Sequence, residues 1–174
     1  MYNYIYKKLQ HNNAMDVSHT FAHWNTVGWH RCFSMPCSAT SSGRIIRTLE
    51  IAVYRNYNNG QPEYFKVRLA GLYNATESFD VLYQKSNTAA TQYITKIRMV
   101  KSADSKTLYV DLYYNSTNSN ENTMYVKWYD PNNSLNGSEK ITWSSDADAQ
   151  AVQDDSLTVV ATLDIPWNVG DGYS

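Results

Sequence analysis

What this chain of 174 residues has little of narrows its possibilities at once. Cysteine occurs only twice, as Cys32 and Cys37, and their spacing matches neither a four-ligand zinc site nor a C-x-x-C redox pair. Two reduced thiols or a small local bridge account for them. Charged residues make up 18% of the chain and the formal net charge is −1, so there is no electrostatic basis for nucleic acid or an anionic membrane as partner. No stretch approaches the ~20 apolar residues of a membrane-spanning helix, and membrane insertion is not expected. The opening Met1-Tyr-Asn-Tyr-Ile-Tyr-Lys-Lys lacks the basic-then-apolar pattern of a signal peptide, so nothing in it directs the chain to a secretory route. No internal repeat of solenoid or propeller period is present.

Reactive constellations are equally scarce. The chain contains no G-x-S-x-G, H-E-x-x-H, Walker motif or dinucleotide-binding glycine fingerprint. Its histidines, His11, His19, His23 and His30, crowd into the first 30 residues and read as structural or surface groups. Asp146, Asp148, Asp154 and Asp155 lack the ordering and closing Glu of a calcium loop. Asp111, outward on a strand, and Glu50 are the carboxylates that a glycosidase pair would draw on, but sequence does not set their separation. Asn74, Asn115, Asn132 and Asn136 head N-x-Ser/Thr sequons, which arise by chance in so Asn-rich a chain. The expectation is a chain without metal, cofactor or enzymatic activity.

Aromatic residues, by contrast, reach 14%, with 15 tyrosines. In Thr107–Asn115, Leu108, Val110, Leu112 and Tyr114 share one face and Tyr109, Asp111 and Tyr113 the other. In Asn122–Asp130, Met124, Val126 and Trp128 oppose Tyr125, Lys127 and Tyr129. Alternation of period two marks strands with one face in a core. The same reading places strands at Val27–Ser34, Gly43–Tyr54, Glu63–Ala70, Ser78–Gln84, Tyr93–Lys101, Glu139–Trp143 and Leu157–Ile165. Turn clusters separate them, with Asn-Gly at the tip of Asn56–Pro62. Asp146–Asp155 allows one short helical turn. Closely spaced strands without amphipathic helices predict an all-β, antiparallel β-sandwich or jelly roll. Residues 26–174 form this domain, and the poorly periodic residues 1–25 allow a short helix, an arm or a stem.

Sugars present C–H faces that stack on aromatic rings and hydroxyl rims that pair with amides and carboxylates. The residues suited to that chemistry are Tyr57, Asn58 and Asn59 in one loop, Tyr129 and Asn132 in another, and Trp143. Outward Tyr109, Tyr113 and Tyr125, with Arg98, fit a subunit interface, where tyrosine and arginine are enriched.

Several phrases in combination resemble a known family. Trp24-Asn-Thr-Val-Gly-Trp-His-Arg31 is similar to the W-x-T-x-G-W-Y-R opening of receptor-binding and tail-fibre proteins from phages and prophages of gut bacteria. Tyr54–Asn59, Pro62–Leu69, Ile94–Val100, Leu108–Asn115 and Leu157–Pro166 follow in that family's order. The chain departs from it at His30 and Cys32-Phe33, where an aromatic-Arg-Ile-Ala type of sequence is more usual. The resemblance implies a knob at the tip of a fibre, a homotrimer in the virion made in the bacterial cytoplasm. Such a knob attaches to bacterial surface polysaccharide or glycan and contacts other virion tail or head proteins. The alternatives are a structural virion protein, as a capsid decoration or tail assembly element, and a polysaccharide-degrading enzyme.

Overall fold

The computed structural model describes residues 14–36, 47–56, 63–71, 78–86, 92–104, 107–117, 120–129, 141–145 and 157–166. Within them the chain is all-β. Strands β1 (Ala14–Trp24), β8 (Asn120–Tyr129), β3 (Arg47–Asn56), β4 (Glu63–Gly71) and β5 (Ser78–Ser86) form one antiparallel sheet in that order. Strands β10 (Thr158–Asp164), β6 (Ile94–Lys101), β7 (Thr107–Tyr114), β2 (Gly28–Pro36) and β9 (Thr142–Trp143) form the other.

Alternation decides which way each strand faces. From the first sheet Leu49, Ile51, Val53, Phe65, Val67, Leu69, Met124 and Val126 point inward, each at most 1% exposed. From the second, Phe33, Met35, Ile97, Met99, Leu108, Val110, Leu112 and Tyr114 meet them in a single core. Full burial of such a side chain contributes about 1.5–3 kcal/mol, so a register slip of one residue, which would turn these rows to solvent, is strongly disfavoured.

β1 departs from the expectation of an arm, stem or short helix over residues 1–25. From Ala14 onward this segment is an edge strand, paired with β8 from Ala14↔Tyr129 to Phe21↔Asn122. Val17, His19 and Phe21 occupy its inward positions, and Ser18 and Thr20 are exposed. A histidine in the apolar row hides the alternation from a sequence reading. His19 is accommodated because its ring stacks on Trp143 at 5.4 Å and meets Phe21 edge-on at 4.7 Å, so the edges of the two sheets close on each other.

One end of the sandwich is sealed by aromatic and polar groups. Trp24 and His30, both fully buried, stack at 4.4 Å, and Tyr114 meets each of them edge-on. His30 Nε2–H donates to the Thr26 carbonyl at 2.7 Å, pinning the tight β1–β2 connection. Gly28 follows it with φ of 141°, a backbone angle that a Cβ would disfavour, which accounts for the glycine in the Trp24–Arg31 motif. At the same end, the guanidinium of Arg55 lies 3.6 Å over the Tyr93 ring, which stacks on Tyr114, although Arg55 is only 1% exposed.

Within β2, Arg31 pairs with Asp111 and Phe33 with Val110, leaving Cys32 as an extra residue in a bulge. The bulge buries Cys32 as a free thiol, and its carbonyl accepts from Ser144 N at 3.0 Å. Cys37 and the Asp146–Asp155 turn lie outside the described residues.

Candidate functional site

The two outer faces of the sandwich differ in chemistry, and register shows how. On the β2–β7–β6 face, Arg98, Asp111 and Arg31 stand opposite one another on three adjacent strands. Asp111 Oδ1 accepts from Arg31 Nε at 3.1 Å and Oδ2 from Arg98 Nε at 3.0 Å. The carboxylate is fully buried even though it stands on the outward side of its strand, because both guanidinium groups lie across it. Each guanidinium is in turn stacked: Arg31 over Tyr109 at 4.0 Å and Arg98 over Trp29 at 4.2 Å. Tyr113 closes the plate with an edge-on contact to Trp29 at 5.2 Å. This is a rigid, ion-paired aromatic plate.

Two points that the sequence left open follow from that geometry. Asp111 is outward in register but inaccessible, and it does not pair with Glu50. Glu50 lies on the outer face of the other sheet, where its Oε2 accepts from Lys66 Nζ at 2.9 Å. The sandwich therefore separates the two carboxylates that a glycosidase reading would join.

Among the described residues, the outer face of the first sheet is open. One cross-strand row runs Ser18, Tyr125, Ala52, Lys66, Tyr83 through all five strands. Its neighbour runs Asp16, Lys127, Glu50, Arg68, Asp80. Ala52 has only a methyl group between the longer Tyr125 and Lys66, and a trough of about 310 Å³ opens over it, walled by Ser18, Glu50, Lys66, Tyr125 and Lys127. Tyr125 is 52% exposed beside the trough, an unusual exposure for a large ring in mid-sheet. Tyr54 stands on the same face at 36%, and Thr20 and Thr123 join β1 to β8 through their hydroxyls at 3.0 Å. Polar groups on the wall and an exposed ring beside a small-residue floor suit a flat polyhydroxylated ligand.

The residues expected from sequence fall in several places. Tyr57, Asn58, Asn59 and Asn132 lie outside the described residues, and Tyr129 is placed only by its backbone, opposite Ala14 and Thr48. The strand ends next to these loops, Asn56 and Tyr129, stand at opposite ends of the paired strands β3 and β8. Trp143 is half-buried, packed against His19, Phe21 and Phe33. Of the interface set, Tyr109, Tyr113 and Arg98 gather on the ion-paired plate, whereas Tyr125 stands on the other sheet. Tyr125 and Lys127 were legible on the face of their strand opposite Met124, Val126 and Trp128. Their convergence with Ser18, Glu50, Ala52 and Lys66 was not, because it depends on β8 lying between β1 and β3.

Among the described residues no three of His, Cys, Asp and Glu are grouped to hold a metal ion. Burial, reinforced by the nearby charge of Asp111, pushes the Cys32 thiol well above its ordinary pKa. The thiol is therefore held protonated in the core.

No family model matches the sequence, and no curated protein matches it. Among solved structures, the chain is similar to the tailspike protein gp49 of Acinetobacter baumannii bacteriophage Fri1, a capsular polysaccharide depolymerase. The TM-score is 0.41 at 13% identity, over 76% of this chain and 20% of that one. The chain thus spans about a fifth of the tailspike's length. It is similar at a TM-score of 0.17 and 8% identity to the Yersinia pseudotuberculosis-derived mitogen, over 75% of this chain and 95% of that one.

Proposed function

We propose that the chain is an attachment module of the phage tail-fibre type, binding bacterial surface glycan through the outer face of the β1–β8–β3–β4–β5 sheet. The observation that carries this reading is the half-exposed Tyr125 beside the trough over Ala52, with carboxylate, ammonium and hydroxyl groups on its wall. Pyranose C–H faces stack on such a ring, and their hydroxyls exchange hydrogen bonds with the Glu50–Lys66 pair. The family resemblance of Trp24–Arg31 and the motifs after it supports the same reading. Chemistry of this kind holds ligand without transforming it, and the module acts by binding. Each site is shallow, and multivalency in a homotrimer would raise avidity without new contacts.

The test is staining of a panel of bacterial strains by the labelled full chain. Staining of some strains is expected, with loss on Tyr125→Ala and no change in the unfolding midpoint. Staining that survives Tyr125→Ala would overturn the assignment of the face.

A second reading has its own observation. The plate of Trp29, Tyr109 and Tyr113 around Arg31, Asp111 and Arg98 has the composition of a protein interface core. It suits a second copy of the chain or another virion protein, as in a capsid decoration or tail assembly element. Absence of cell staining together with co-purification on virions would favour this role over glycan attachment.

A further inference from the structure

We infer that the sugar taken by this face carries a methyl group, as a deoxyhexose or an N-acetylhexosamine does, and that this methyl seats on Ala52. The inference rests on the attachment reading above and specifies its ligand. Ala52 stands directly opposite Tyr125 on β8 and Lys66 on β4. Neighbouring strands are about 4.8 Å apart, so two long side chains flank a gap floored by a single methyl group. The trough of about 310 Å³ opens over that gap, and its surface is mostly apolar.

Two features make the floor selective. β3 lies between β8 and β4 and is paired along its length with both, so the backbone N–H and C=O groups around Ala52 are committed to the ladders. A sugar hydroxyl pressed onto this floor would exchange water for carbon and lose its hydrogen bonds, whereas a methyl group gains by leaving water. Polar groups stand on the wall instead. Glu50 Oε2 accepts from Lys66 Nζ at 2.9 Å, and the two side chains keep 28% and 35% of their surface exposed, within reach of a ligand's hydroxyl groups. Tyr125, half-exposed, gives the pyranose ring its stacking face. A ring with a methyl on one edge and hydroxyls on the other matches this division between floor and wall.

Titration of the isotope-labelled full chain with single sugars, followed by NMR shifts of its amides, tests this. The pairs are L-fucose against L-galactose and L-rhamnose against L-mannose for a deoxyhexose source, and N-acetylglucosamine against glucose for an acetyl source. In at least one pair the methyl-bearing sugar is expected to bind at least about fourfold more tightly, the effect of burying one methyl-sized group. Saturation transfer to that methyl is expected to exceed transfer to the ring protons. Ala52→Val covers the floor from an outward position and is expected to bring the pair within about twofold, with the unfolding midpoint unchanged. Equal or tighter binding of the parent sugar in every pair would overturn the inference and leave the attachment reading intact. So would a preference that survives Ala52→Val. Failure of every sugar to bind a chain with a normal unfolding transition would overturn both.

Discussion

Replacing Asp111 by alanine tests the ion-paired plate most directly. The carboxylate is fully buried, while the Arg31 and Arg98 side chains are 16% and 12% exposed. Truncation leaves two guanidinium groups facing each other across an empty position, largely shielded from water. Removing one partner of a buried ion pair costs about 3–5 kcal/mol, chiefly because the remaining charge is uncompensated. For a chain of this size about 1 kcal/mol corresponds to about 2–4 °C in melting temperature, so a fall of about 6 °C or more is expected. Exchanging all three residues for apolar side chains (Arg31→Met, Asp111→Leu, Arg98→Met) is expected to recover most of the loss, since no charge is then stranded. Urea unfolding followed by tryptophan fluorescence measures each variant. A cost below about 1 kcal/mol for Asp111→Ala would refute the reasoning, because it would place the triad in the regime of solvent-screened surface pairs.

Other consequences are open to the same assay. Gly28→Ala is expected to destabilise by about 1 kcal/mol or more, since φ of 141° is costly for a residue with a Cβ. Tyr93→Leu removes the ring beneath the buried Arg55 guanidinium and is expected to cost about 2 kcal/mol, the worth of a desolvated cation–π contact. Trp143→Ala strips the ring that joins β9 to β1 and is expected to cost about 2 kcal/mol, below the 3–5 of a fully buried tryptophan. Cys32 keeps its proton to higher pH when folded than when unfolded. Above the ordinary thiol pKa of about 8.5 the unfolded chain therefore ionises first, and stability falls by up to about 1.4 kcal/mol per pH unit. Below that range Cys32 adds no pH dependence. The stability difference between wild type and Cys32→Ala, followed from about pH 7 to about pH 10, should show that slope; a flat difference would contradict it.

The strands most readily read from sequence are those whose inward rows are uniformly apolar. Phe65, Val67 and Leu69 in β4, and Leu108, Val110 and Leu112 in β7, announce both element and face. β1 escaped notice because His19 stands in its inward row, and its place is secured by a ring stack with Trp143, more than 100 residues away. The burial of Asp111 was likewise hidden. A carboxylate in an outward position reads as solvated until the strands on either side each supply an arginine. Tyr125 was legible as an outward aromatic, but its partners were not.

By itself the sequence determined the local facts: which residues extend, which side of each strand is apolar, where turns fall, and that the second faces are rich in tyrosine. These follow from period-two alternation and turn chemistry, which act over a few residues. Tertiary structure alone decided which strands become neighbours, because pairing depends on contacts between distant segments. Placing β8 between β1 and β3, and β7 between β2 and β6, joined Tyr125 to Ala52 and Lys66 and enclosed Asp111 between Arg31 and Arg98. The same tyrosine-rich alternation thus became an open trough on one sheet and a closed ionic plate on the other.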